Sequence, residues 1–202
     1  MTHPSQTPNS AAPHPQELQD QLNDRAEAFS KEFANASYEM GQAQNFVREL
    51  CGVYGLNYLR SVDFERRVTK DSGVGINRID GFFPGLLLVE MKSKGKDLAE
   101  AYEQAKGYIP KLKNKEDTPL YILVSDFQNL HLYDVAGKKP PIQFKLADFK
   151  SQVNDLDFLL GYERIYQDRQ AQASIEAASP LANICSCPFI HLKTDLSSLL
   201  DS

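Results

Sequence analysis

The spacing of hydrophobic positions changes period several times along the chain. From residue 15 to about residue 34, Leu18, Leu22, Ala26 and Phe29 recur every three or four residues among charged positions, which predicts an amphipathic helix. A second helical pattern covers residues 41–54, with Phe46, Leu50 and Tyr54 on one face and Gly55 to end it. The period then shortens. Residues 64–69, 76–83 and 86–93 are short runs of strand character, and Pro84-Gly85 marks a tight turn between the last two, so the sheet is predicted to start antiparallel. Residues 98–112 return to helical spacing, with Leu98, Ala101, Ala105 and Tyr108 on one stripe. Asp97 supplies the N-cap, and Pro110 ends or kinks the helix. Two more strands, residues 120–125 and 130–134, flank Asp126-Phe127-Gln128-Asn129, a connection of hairpin length. An edge strand at residues 142–146 follows Pro140-Pro141, with helical segments near residues 147–153, 155–160 and 170–182. Alternating periods of this kind predict an α/β fold, a mixed central sheet flanked by helices, with a helical carboxy-terminal extension.

Composition narrows the class. With 202 residues, 42% of them hydrophobic, the chain suffices for one packed core. Its longest apolar run, residues 82–89, is broken by Pro84 and Gly85 and falls well short of the roughly 18 residues of a membrane span. Residues 1–15 hold four prolines, no periodicity and no basic or apolar leader pattern, so a disordered tail and a cytoplasmic protein are expected. Three cysteines, Cys51, Cys185 and Cys187, do not make a disulfide framework. Cys185, Cys187 and His191 are three metal-ligand types without a fourth, in a tail over residues 184–202 predicted to be unstructured. The net charge is -5, yet residues 60–115 carry 12 Lys and Arg against 8 Asp and Glu. A basic centre between acidic ends fits either a solvated face or a phosphate-binding surface.

Candidate chemistry concentrates at the end of the third predicted strand. Period two puts Glu90 and Lys92 on the same side of the sheet, and the turn at Pro84-Gly85 lets Asp80 approach from the neighbouring strand. Two carboxylates with backbone carbonyl and water oxygens suit Mg²⁺, and a lysine beside the metal can orient an attacking water and offset charge on a phosphate. The same three residues also fit a strand-end ion pair worth about 0 to 1 kcal/mol.

Asp80, Glu90-Met91-Lys92 on a hairpin, and a helix directly after it resemble the PD-(D/E)XK nuclease superfamily. Gln104 and Tyr108, four residues apart, match the Q-x-x-x-Y motif of its RecB-like branch, where such residues support the site and contact DNA. Glu49 matches the helix carboxylate that completes the metal shell, and Glu65 competes for that place. More narrowly, Phe46-Val47-Arg48-Glu49-Leu50, Leu86 through Leu98, Ala101-Tyr102-Glu103-Gln104-Ala105, Tyr121 through Phe127 and Phe158 through Tyr162 resemble, in order, the amino-terminal region of MmeI-like type IIG/IIL restriction-modification enzymes. The resemblance covers about residues 41–178.

That resemblance implies a restriction-endonuclease-like domain over residues 16–150 and the start of a helical spacer over residues 151–183. It implies Mg²⁺ as cofactor and double-stranded DNA as substrate; Lys94, Lys96 and Lys106, with Lys111 and Lys113, lie beside the proposed site, which gives the basic centre a role in contacting the phosphate backbone. Methyltransferase motifs are not found in the sequence, so a truncated product or one subunit of a split system is expected, served by a separate methyltransferase and target-recognition polypeptide. A noncatalytic DNA-binding or assembly module and a nonfunctional remnant are the alternatives.

Overall fold

The computed structural model describes residues 15–69 and 75–184. Helix α1 (Pro15–Phe33) buries Leu22, Ala26 and Phe29 of the predicted stripe together with Phe33, while Leu18, one turn from its start, is exposed. Helix α2 (Glu39–Val53) follows, then α3 (Tyr58–Ser61), a single turn started by the Asn57 side chain, which accepts the Leu59 N–H. Six strands form one sheet whose spatial order equals chain order: β1 (Asp63–Thr69), β2 (Ile76–Phe83), β3 (Leu87–Met91), β4 (Tyr121–Ser125), β5 (Asn129–Asp134) and β6 (Ile142–Lys145). Neighbours are antiparallel except β3 and β4, which run parallel and are joined by a crossover carrying α4 (Leu98–Lys106). The mixed sheet is the predicted one.

Both faces of the sheet are covered, which is why β3 is a near-continuous apolar run. On one face, Phe82, Leu88, Ile122 and Val124 pack with Ala101, Ala105 and Tyr108 of the α4 segment. Elsewhere in the core, Phe29, Phe33, Phe46, Phe127 and Phe149 make a chain of ring contacts with centroids 4.8–6.5 Å apart. Phe149 opens α5 (Phe149–Gln152), and a 3₁₀ stretch after it buries Val153, Leu156 and Leu159. The Tyr162 hydroxyl donates to the Pro84 carbonyl at 2.9 Å, tying this segment to the β2–β3 turn.

Several boundaries differ from the sequence expectation. Helix α4 ends at Lys106, with Gly107 as its C-cap, and Ile109–Lys111 is a separate 3₁₀ turn. The helix stops ahead of Pro110, which has no N–H to donate to the Lys106 carbonyl and sits instead in the first turn of the 3₁₀ segment. Hydrophobic spacing does not predict the α3 turn, and the segment predicted as helix at residues 155–160 is 3₁₀. The last helix, α6 (Tyr162–Ile184), starts well before residue 170, directly after Gly161 at φ 75°. One compact unit extends through Glu163, and a second unit begins at Arg164. The described part of the second unit is helix, with Gln170 donating to the Tyr166 hydroxyl at 3.1 Å. Of the predicted tails, residues 1–14 and 185–202 lie outside the described residues, and Cys185, Cys187 and His191 lie there too.

Candidate active site

Strand β3 runs through the core and leaves it carrying charge. Leu88 faces α4, so alternation places Glu90 and Lys92 on that face as well. Glu90 is 2% exposed, an environment that penalises an ionised carboxylate unless a partner is supplied. Lys92 supplies it: its Nζ donates to Glu90 Oε1 at 2.7 Å. The Lys92 backbone N–H donates to the Ser125 carbonyl at 2.8 Å, which carries the β3–β4 contact one residue past the strand.

Asp80 comes to this strand end from β2. The last ladder pair between β2 and β3 is Gly81 with Val89, and Asp80, one residue further, accepts the Met91 N–H through Oδ2 at 2.8 Å. The structure therefore brings Asp80 to the Glu90-Met91-Lys92 strand end. A local irregularity lies across from it. The β1–β2 ladder pairs Phe64 with Gly81 and Arg66 with Ile79 but skips Glu65 and Asp80, and Glu65 adopts a left-handed φ of 50°. Ile79 and Phe82, three residues apart, both reach the α4-side core, so strand alternation shifts at Asp80 and Gly81. Positive φ at a non-glycine residue is an unfavourable conformation that clusters at functional sites.

A cleft of about 410 Å³ opens beside Asp80, lined by Tyr38, Gln44, Glu65, Arg78 and Ser93 among others. Glu65 accepts from Arg78 at 2.8 Å and from the Gln44 amide at 2.9 Å. Glu49 lines a different cleft with Arg25 and Glu32 and pairs with Arg48 at 3.1 Å. Of the two candidate third carboxylates, Glu65 shares the Asp80 cleft and Glu49 does not. Sequence reasoning missed Gln44 and Arg78, whose only signal is helical or strand phase relative to their neighbours.

Tyr108 lies two residues past the end of α4 rather than on it, and its ring is buried in the α4-side core. The Gln104 amide donates to its hydroxyl, so the i,i+4 pair predicted from spacing forms across the helix end. That core also contains Val124, the ladder neighbour of Glu90. Lys94 and Lys96 are exposed on the loop after β3, and the Lys94 N–H donates to the Ser37 carbonyl at 3.1 Å. Lys106 is exposed on the last turn of α4, its Nζ 5.6 Å from the Tyr102 ring centroid. Among the described residues, no three His, Cys, Asp or Glu side chains gather into a group able to hold a metal ion.

Residues 24–185 match the family model described as MmeI, N-terminal domain. The chain belongs to the MmeI N-terminal domain family. This domain is the nuclease region of MmeI-like restriction-modification enzymes, and membership implies DNA binding and a divalent metal. The MmeI match spans all six strands and every residue of the Asp80, Glu90 and Lys92 site. No curated protein and no solved structure matches the chain. Among the described residues no helix is long and apolar enough to cross a membrane.

Proposed function

We propose that this chain is a Mg²⁺-dependent DNA endonuclease domain in which Asp80 and Glu90 hold the metal and Lys92 acts on the attacking water. The observation that carries this reading is the buried Glu90 carboxylate bridged by Lys92 at 2.7 Å, with Asp80 fixed on the intervening Met91 N–H. The donor set fits Mg²⁺, which takes one or two carboxylates and keeps several waters for a phosphate substrate. A bound divalent ion lowers the pKa of water and offsets charge on the phosphate oxygens. Lys92, held by Glu90, orients the water and stabilises the negative charge that develops on the phosphate. Glu65 lines the cleft beside Asp80 and is the carboxylate that assists through water. Gln104 and Tyr108 brace the sheet face behind Glu90.

Lys94, Lys96 and Lys106 lie on the loop after β3 and the helix that follows, where they serve as phosphate contacts. Such contacts position DNA without reading its sequence. Target choice is then not a task of these three lysines.

The test is cleavage of plasmid DNA by the purified chain with Mg²⁺, alone and with an MmeI-type methyltransferase and recognition polypeptide added. Asp80→Ala and Lys92→Ala should each lower the cleavage rate by roughly 10²-fold or more, the scale of losing one group that stabilises transition-state charge, with far-UV circular dichroism unchanged. Cleavage at the wild-type rate by either variant sinks the assignment.

A further inference from the structure

Asp126, the first residue after β4, is 3% exposed and stands outside the Asp80, Glu90 and Lys92 set. An isolated buried carboxylate is costly, yet this one is surrounded by donors. Oδ1 accepts the backbone N–H groups of Gln128 at 3.1 Å and Asn129 at 2.8 Å, together with the Asn129 side-chain amide at 3.2 Å. That is the local hydrogen bonding by which an Asp organises a turn, and one oxygen suffices for it. Oδ2 does something the turn does not require. It reaches back 31 residues in sequence to accept the Gly95 N–H at 3.0 Å.

Gly95 belongs to the loop that leaves β3 and leads into α4. The loop starts at Lys92, whose N–H is held by the carbonyl of Ser125, the residue before Asp126. It turns through Gly95 at φ 80°, with Lys96 donating to the Ser93 carbonyl at 3.1 Å, and ends at Asp97, which caps α4 through the Ala99 N–H at 2.8 Å. Residues 125 and 126 therefore grip this loop at two points, three residues apart, and the segment between them carries Lys92 and Lys94. Burial alone would raise the Asp126 carboxyl pKa, but the N–H donors of Gly95, Asn129 and Gln128 outweigh it and hold the group below the ordinary carboxylate range. The acceptor is anionic throughout the neutral range, and a charge-assisted bond of this kind is stronger than a neutral one.

We infer that Asp126 is a positioning residue for Lys92: its Oδ2 clamps the loop after β3 to the β4–β5 turn, fixing the lysine against Glu90 and the start of α4 beside them. This rests on the nuclease reading for its activity, and on the Gly95 hydrogen bond alone for its structural part. Fixing a reacting group matters because displacement on the ångström scale costs about 10²-fold in rate.

Two variants separate the clamp from the turn. Asp126→Ser keeps one oxygen for the Gln128 and Asn129 N–H groups but cannot reach Gly95. Asp126→Asn is isosteric and presents an amide in place of one acceptor oxygen. In plasmid cleavage with Mg²⁺, each should lower kcat by about 10- to 100-fold with KM for DNA little changed. Hydrogen exchange on the full chain should show the Gly95 amide protected in wild type and exposed in both variants. Wild-type kcat in both variants overturns the proposal, and so does a parallel worsening of kcat and KM that tracks a lowered Tm. If the wild-type chain does not cleave under any condition, the nuclease reading fails separately and the exchange result decides the clamp. A Gly95 amide that exchanges alike in all three proteins overturns it.

Discussion

Glu90 and Lys92 are unequal partners. The Glu90 side chain is 3% exposed and the Lys92 side chain 18%, so removing one leaves the other's charge in a different setting. Lys92→Met removes the ammonium from a carboxylate in the sheet interior, whereas Glu90→Gln leaves an ammonium nearer to water. Breaking a buried pair from one side costs roughly 3 to 5 kcal/mol, so Lys92→Met should fall near the lower end of that range and Glu90→Gln below it. The double variant should be less destabilised than the sum of the singles, as measured by urea midpoints. An additive double variant would show that the pair is not coupled. This pair was legible in the sequence because it needs only strand periodicity. The approach of Asp80 was legible too, from the Pro84-Gly85 turn. The Asp126 to Gly95 bond was not, because no local pattern links residues so far apart in the chain.

At the scale of elements, α2 meets the sheet through Val47 and Gly81. A Cβ built on Gly81 would stand 2.8 Å from Val47 Cγ1, on a branched side chain with little freedom to retreat. Overpacking of this kind costs about 1 to 3 kcal/mol. Gly81→Ala should therefore lower the denaturation midpoint, and combining it with Val47→Ala should recover part of the loss. No recovery would place the strain in the backbone instead. The same packing sets which face of α2 looks inward, which determines that Gln44 borders the Asp80 cleft and Glu49 does not. Helical periodicity marks an apolar face on α2 but not what that face covers, so Glu49 and Glu65 could not be separated from sequence. Likewise, the stripe through Tyr108 continues past the end of α4, because Gly107 and Tyr108 keep helical backbone angles and carry the ring into the same core as a longer helix would have done.

For the whole molecule, the net charge of -5 conceals the basic segment that holds the site. If Lys94, Lys96 and Lys106 touch phosphates, replacing all three with Gln should reduce the slope of log affinity against log salt by about 0.9 for each phosphate no longer neutralised. Sequence preference should not change. A slope equal to wild type in the triple variant would remove these lysines from the DNA interface. Fold class was readable at this scale because strand and helix periods alternate cleanly, and the family match agrees with it.

The agreement of strand order with chain order bears on how the site is assembled. Residues close in sequence meet sooner than distant ones, since less chain entropy is given up in bringing them together. Asp80 and Glu90 meet within one hairpin, early and locally. Ser125 and Asp126 arrive only when the parallel β3–β4 step closes across α4. By chain entropy the two carboxylates should gather before the neighbouring lysine is secured, with closure of that single crossover as the last step of assembly.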